Sequence, residues 1–187
     1  ENEWEEWGNE TITSMIKKIW QQMPLTKIVK PKSTKNVEII YSDASMEAGG
    51  IVEIIDPTKD HDLLSNGRYL RYNFKFSNEN KNSFNIRDLE AIMVGETLKR
   101  IKNHSLVIIR CDNQNVVKNT EGRCFKPTST THRKILEKLV KIQNDKNLEY
   151  KLIYINTKDN IADIPTRTKS MQEIKKKGFT PIEVKLV

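Results

Sequence analysis

Val37-Glu38-Ile39-Ile40-Tyr41-Ser42-Asp43 and Leu106-Val107-Ile108-Ile109-Arg110-Cys111-Asp112 are the stretches on which the fold reading turns. The first alternates with period two and is rich in β-branched and aromatic residues; the second is a more continuous apolar run of similar length. Both read as strands, and both end in Asp. In an open α/β sheet ligands bind beyond the carboxyl ends of the strands, so two parallel neighbours would present Asp43 and Asp112 at one edge. Chemistry is expected there.

Two further carboxylates join them. Ile86 to about Ile101 reads as an amphipathic helix, in which Glu90 has Ile86, Met93 and Val94 at i−4, i+3 and i+4. A carboxylate on an inward stripe is costly to bury unless it is paired or bound to a metal. Asp88 has a simpler reading: with Asn85 as N-cap it stands at the third helical position, where a carboxylate suits the helix dipole. Glu90 is therefore favoured over Asp88 or Glu96 as a ligand. Asp163 follows the strand Tyr150 to Ile155, within Asn160-Ile161-Ala162-Asp163-Ile164-Pro165-Thr166-Arg167, and Pro165 suits the first turn of a short helix.

Each acid alone has an ordinary explanation: turn chemistry, a solvated helix face, or a cap. The set shifts the reading. Asp43, Glu90, Asp112 and Asp163, in the order strand, helix, strand, helix, offer hard oxygen ligands for Mg²⁺ or Mn²⁺, and no Cys/His cluster competes with them.

Tyr41-Ser42-Asp43-Ala44-Ser45 with Gly49-Gly50, Arg87-Asp88-Leu89-Glu90-Ala91, Arg110-Cys111-Asp112-Asn113-Gln114 and the Asn160–Arg167 motif together resemble the ribonuclease H domain of retroelement reverse transcriptases. The likeness is greatest to long-terminal-repeat, tyrosine-recombinase-type or pararetroviral elements. It spans roughly Val37 to Arg167, and its specificity lies in the order and spacing of the acids, 47, 22 and 51 residues apart.

The resemblance implies two-metal hydrolysis of the RNA strand of an RNA–DNA hybrid during reverse transcription, leaving 5′-phosphate and 3′-hydroxyl ends. It implies that Asp43 bridges two divalent ions, Mg²⁺ or Mn²⁺, that Asp163 completes the nucleophile side, and that Glu90 and Asp112 hold the leaving-group side. Without metal, carboxylates this close repel, so a mobile or partly protonated site is expected. Hybrid recognition is expected through shape, phosphates and 2′-hydroxyls. Gln114 matches a family position that reaches the minor groove, and Asn113, Ser45, Lys118 and Arg133 are further substrate-binding candidates; Arg123, Lys126 and Lys134 are possible phosphate contacts. One departure stands out. Many ribonucleases H carry a histidine before the last aspartate, whereas here the segment is Asn156-Thr157-Lys158-Asp159-Asn160 and the histidines are His61, His104 and His132. Slow turnover is expected unless Lys158 or Asp159 substitutes. His61, between Asp60 and Asp62, reads as part of a polar loop rather than a metal site.

Composition agrees. The net charge of +7 is uneven: residues 1–13 hold five glutamates and no Lys or Arg, which leaves +12 on the remainder. That surplus favours a polyanionic partner, although lysine-rich and asparagine-rich chains also arise from biased base composition. No apolar run approaches 18 residues and no signal-peptide pattern is present, so an intracellular protein is expected, cytoplasmic, nuclear or within a virus-like particle, neither secreted nor membrane-bound. Cys111 and Cys124 read as reduced thiols. A chain beginning at Glu1 reads as a piece of a longer polypeptide, and a polymerase domain in the same polypeptide is the expected partner.

Along the chain, residues 1–36 form an N-terminal extension with Trp4, Trp7 and Trp20 and a helix from about Glu10 to Gln22. Residues 37–167 form the catalytic domain, and residues 168–187 a basic tail, either a linker or an added edge strand. Strands are expected at Gly50 to Ile55 and Tyr69 to Phe76, the latter with Leu70, Tyr72, Phe74 and Phe76 on one face. Helices are expected at Asn113 to Lys118 and at Thr131 to Gln143, the second carrying Ile135, Leu136, Leu139, Val140 and Ile142. The whole predicts an α/β ribonuclease H-like fold, a mixed five-stranded sheet (three antiparallel strands plus two parallel) flanked by helices. Two other readings share this fold: a noncatalytic module that binds hybrid or braces the polymerase, and a transposase or integrase core, whose usual acid order fits less well.

Overall fold

The computed structural model describes residues 36–61, 64–80, 82–120, 129–167 and 181–186. The extension with its tryptophans, Cys124, Arg123 and Lys126 lie outside them. All the described residues belong to the compact unit Lys35–Val187.

The elements run β1 (Val37–Ala44), β2 (Ala48–Ile54), β3 (Gly67–Phe76), α1 (Ile86–Arg100), β4 (Leu106–Cys111), α2 (Gln114–Thr120), α3 (Thr130–Lys146), β5 (Glu149–Tyr154), α4 (Asp163–Thr166) and β6 (Ile182–Leu186). They form one sheet in the order β5-β4-β1-β2-β3-β6. β1, β2 and β3 are antiparallel neighbours, while β4 lies parallel to β1 and β5 parallel to β4. These are the five strands and the directions expected.

The sheet has a sixth strand, which corrects the expected five. β6 pairs parallel with β3, Tyr72 opposite Ile182 and Phe76 opposite Leu186. Its sequence, Ile-Glu-Val-Lys-Leu, alternates with period two, turning Glu183 and Lys185 to solvent and burying Leu186. Of the two readings of the tail's end, the edge strand is the one found. The lysines on the approach to it masked that alternation in the sequence.

The main core lies between the sheet and α1 and α3, where Ile40, Ile51, Leu89, Met93, Leu98, Val107, Ile109 and Leu139 are buried. Tyr72 and Phe74 join it, with Leu70 and Phe76 packed at its margin, so the expected inward face of β3 is correct. On α3 the buried stripe is His132, Ile135 and Leu139. Val140, expected on that stripe, is half exposed, because it sits about 100° around the helix from Leu139.

A smaller cluster, Tyr41, Val52, Ile54, Tyr69 and Ala162, lies apart from it, with Ile161 and Ile164 packed against it. Gly49 and Gly50 serve two different neighbours. A Cβ on Gly49 would collide with the Met93 thioether of α1, and one on Gly50 with the Ala162 carbonyl and the Pro165 ring beside α4. Adjacent side chains of a strand point to opposite faces, so this pair admits a close neighbour on each. No helix among the described residues is long and apolar enough to cross a membrane.

Candidate metal centre

Parallel pairing of β1 and β4 sets Ser42 opposite Cys111, so Asp43 and the Asp112 that follows Cys111 emerge at the same end of the sheet. Strand ends alone would leave both carboxylates in water. Glu90 changes their surroundings.

α1 begins with a capping box: the Asn85 side chain accepts from the Asp88 amide and Asp88 accepts from the Asn85 amide. That start fixes the helix phase and turns Glu90 inward onto β1, where it is 2% exposed. The Ala44 amide donates to Glu90 Oε1 at 3.1 Å and to Asp43 Oδ1 at 2.9 Å. Asp43 and Glu90 are also bonded side chain to side chain, and burial is the largest cause raising both carboxyls. Asp43 reaches about 6, with the charges of Asp112 and Asp163 adding to the effect of burial. Glu90 is pushed up much further, chiefly by burial and then by Asp43. The pair therefore shares a proton near neutral pH.

Asp112 is raised by burial, opposed by side-chain hydrogen bonds from Asn160 and Thr157. Ligand atoms of Glu90, Cys111 and Asp112 lie within 4.8 Å of one another. The Cys111 sulfur donates to Glu90 Oε2 at 3.7 Å, and burial pushes this thiol well up, so it stays protonated. A neutral thiol is a poor ligand, and the usable donors are carboxylate oxygens, which suit Mg²⁺ or Mn²⁺.

Asp163 opens α4. Its Oδ2 accepts from Arg167 Nε at 2.8 Å, and its charge is felt by both Asp43 and Asp112. Asn160 ties this turn to the others: its Nδ2 donates to the Ser42 carbonyl at 3.0 Å, and its Oδ1 accepts from the Ala162 amide. All four predicted acids thus come to one edge. Asn160 was not singled out from the sequence, although Asn two residues before a donating backbone amide is a readable turn signal.

The substrate candidates have these places. Asn113 caps α2, accepting from the Asn115 and Val116 amides. Ser45 closes the β1–β2 hairpin through its hydroxyl to the Ala48 carbonyl at 3.1 Å. Gln114 and Lys118 are exposed on α2, and Arg133 pairs with Glu137 at 3.2 Å on the surface of α3. Lys158 and Asp159 are exposed in the turn Thr157–Asp159. His61 bonds Tyr41 and the Pro57 carbonyl, and no metal group among the described residues includes it. His132 is fully buried, its Nδ1 2.9 Å from Asp88 Oδ1.

The sequence matches no protein-family model and no curated protein. Among solved structures, the chain is similar to LC11-RNase H1 in complex with an RNA/DNA hybrid, with a TM-score of 0.50 and 16% identity over 67% of this chain and 91% of that one. It is similar also to RNase H1 from the halophilic archaeon Halobacterium salinarum NRC-1, with a TM-score of 0.51 and 12% identity over 74% of this chain and 99% of that one. The chain has the fold of the ribonuclease H domains.

Proposed function

We propose that this protein is a metal-dependent ribonuclease H that cleaves the RNA strand of RNA–DNA hybrids, and that it works within a retroelement reverse transcriptase. The observation that carries the reading is Glu90, buried at 2% exposure against Asp43 at the edge where Asp112 also emerges. A cluster of acids whose burial disfavours their charge is a cost to the fold, tolerated where a cation is to be bound. The fold is shared with an RNase H1 solved on a hybrid, which supports the substrate class. The motifs from Tyr41 to Arg167 support the retroelement setting.

Asp43, Glu90, Asp112 and Asp163 would hold two divalent ions, which when bound supply Lewis acidity and a lowered pKa for water. Asp43 would serve both ions, Asp163 the nucleophile side, and Glu90 with Asp112 the leaving-group side. The proton shared by Asp43 and Glu90 would have to leave for both to hold a cation, so metal affinity would rise with pH. Asn160 holds Asp112 in place, and Arg167 holds Asp163.

The test incubates the protein and an Asp112→Asn variant with end-labelled RNA–DNA hybrid, duplex RNA and duplex DNA, with Mg²⁺, Mn²⁺ or chelator. Metal-dependent cutting confined to the RNA strand of the hybrid, and lost in the variant, is the expected result. Hybrid binding without cutting would overturn the nuclease reading in favour of a binding module.

A further inference from the structure

We propose that Arg71, on β3 and outside the acidic cluster, is a positioning residue for Asp163, acting with Gly50 to seat α4; the inference rests on the metal-dependent nuclease reading above.

α4 is four residues long. One helical turn orders several dihedrals for a single hydrogen bond and does not hold itself, and the carbonyls of its end lack helical partners. The direction in which Asp163 leaves this turn is therefore set by the strands beneath it. Arg71 Nη1 donates to the Pro165 carbonyl at 3.0 Å, two residues from Asp163. Arg71 is itself held, its Nε donating to Asn73 Oδ1 at 2.7 Å. The guanidinium is a rigid planar fork, so these two bonds fix Pro165 relative to β3.

Gly50 supplies the other half of the seat. Any Cβ there would meet the Ala162 carbonyl and lie 2.7 Å from the Pro165 ring, so glycine sets how closely the turn approaches β2. Asn160, bonded to the Ser42 carbonyl, anchors the preceding residues to β1. Arg167 bonds the Asp163 carboxylate but is itself exposed and leaves the axis of the turn undetermined. Arg71 and Gly50 supply that axis: the Arg71 bonds go to Asn73 and Pro165 rather than to an acid, while Gly50 is also the register partner of Asp43 on β1.

The full chain is compared as wild type, Arg71→Met, Arg71→Lys, Gly50→Ala, Asp163→Asn and the Arg71→Met/Asp163→Asn double variant. Mn²⁺ affinity by calorimetry and hydrogen exchange of the Ile164 and Arg167 amides are read independently of turnover, beside hybrid-cleavage kinetics and melting temperature. Arg71→Met is expected to weaken Mn²⁺ binding about fivefold, speed exchange about tenfold and lower kcat about tenfold with KM within about twofold. Arg71→Lys, with one ammonium in place of the planar fork, recovers only part of the loss, and Gly50→Ala reproduces it. On the Asp163→Asn background, Arg71→Met adds nothing to the loss of metal affinity or kcat.

Losses that multiply with Asp163→Asn, or exchange unchanged in Arg71→Met, overturn the proposal. Should Arg71→Met fail to fold, the Gly50→Ala arm decides: Ile164 and Arg167 exchange unchanged there overturns the proposal. A wild type that cuts no hybrid overturns the nuclease reading, while exchange still decides the role of Arg71.

Discussion

Asp43 and Glu90 accept from one and the same donor, the Ala44 amide, at 2.9 and 3.1 Å. A single N–H cannot stabilise two full negative charges, so in the metal-free protein the pair is held together by a proton, whose place a bound cation would take.

Metal-free stability should therefore fall as pH rises. Burial raises Asp43 from 3.8 to about 6, so above pH 4 the native state holds a proton that the unfolded chain has released. Stability from this site is full below about pH 4 and lost as pH passes through about 6. Glu90, also raised, acts in the same direction over a higher range. Glu90→Gln removes that cost, and in chelator at pH 8 it should gain about 2 kcal/mol, or several degrees of melting temperature, with no gain at pH 4. Thermal melts at the two pH values check this; a variant that melts lower at pH 8 contradicts it.

Asp43→Asn and Asp112→Asn should each lower kcat on hybrid about a thousandfold, equivalent to about 4 kcal/mol of transition-state stabilisation, with KM changed little. Single-turnover cleavage separates the two quantities. A tenfold loss or less would mean that these acids are not the site.

His132 and Asp88 form a fully buried pair joining the first turns of α3 and α1. His132→Ala leaves Asp88 without that partner and should destabilise the protein by about 2–3 kcal/mol in urea denaturation. Because Asp88 also closes the capping box that orients Glu90, Mn²⁺ binding by the folded fraction should weaken as well.

Leu186, 5% exposed, carries the end of β6 into the main core. Leu186→Ala should cost about 2–3 kcal/mol of stability by equilibrium unfolding. An effect within about 0.5 kcal/mol would mean that β6 is not paired in solution.

The acids were legible because each stands at an element boundary that local patterning marks: alternation ending at Asp43 and Asp112, an Asn85 cap that phases Glu90, a Pro165 turn around Asp163. What patterning could not reach was anything set by pairs distant in sequence. Arg71 and Pro165 are 94 residues apart, and Asn160 and Ser42 are 118 apart. The bond of His132 to Asp88 likewise spans 44 residues, so a buried histidine looked like any other on its helix. Strand β6 was left open for a related reason: five alternating residues after a lysine run suit a solvated tail as well as an edge, and only β3 decides between them.

The spatial order β5-β4-β1-β2-β3-β6 also has a meaning in time. The ribosome delivers the middle of this sheet first and both rims last, and Asp163 follows β5, more than a hundred residues after Asp43. While the nascent chain lacks α4 it can form the central hairpins but not the full set of acids. On the proposed reading, an unfinished polypeptide would carry the sheet without the acid that α4 brings, so synthesis itself would delay cleavage until α4 has emerged.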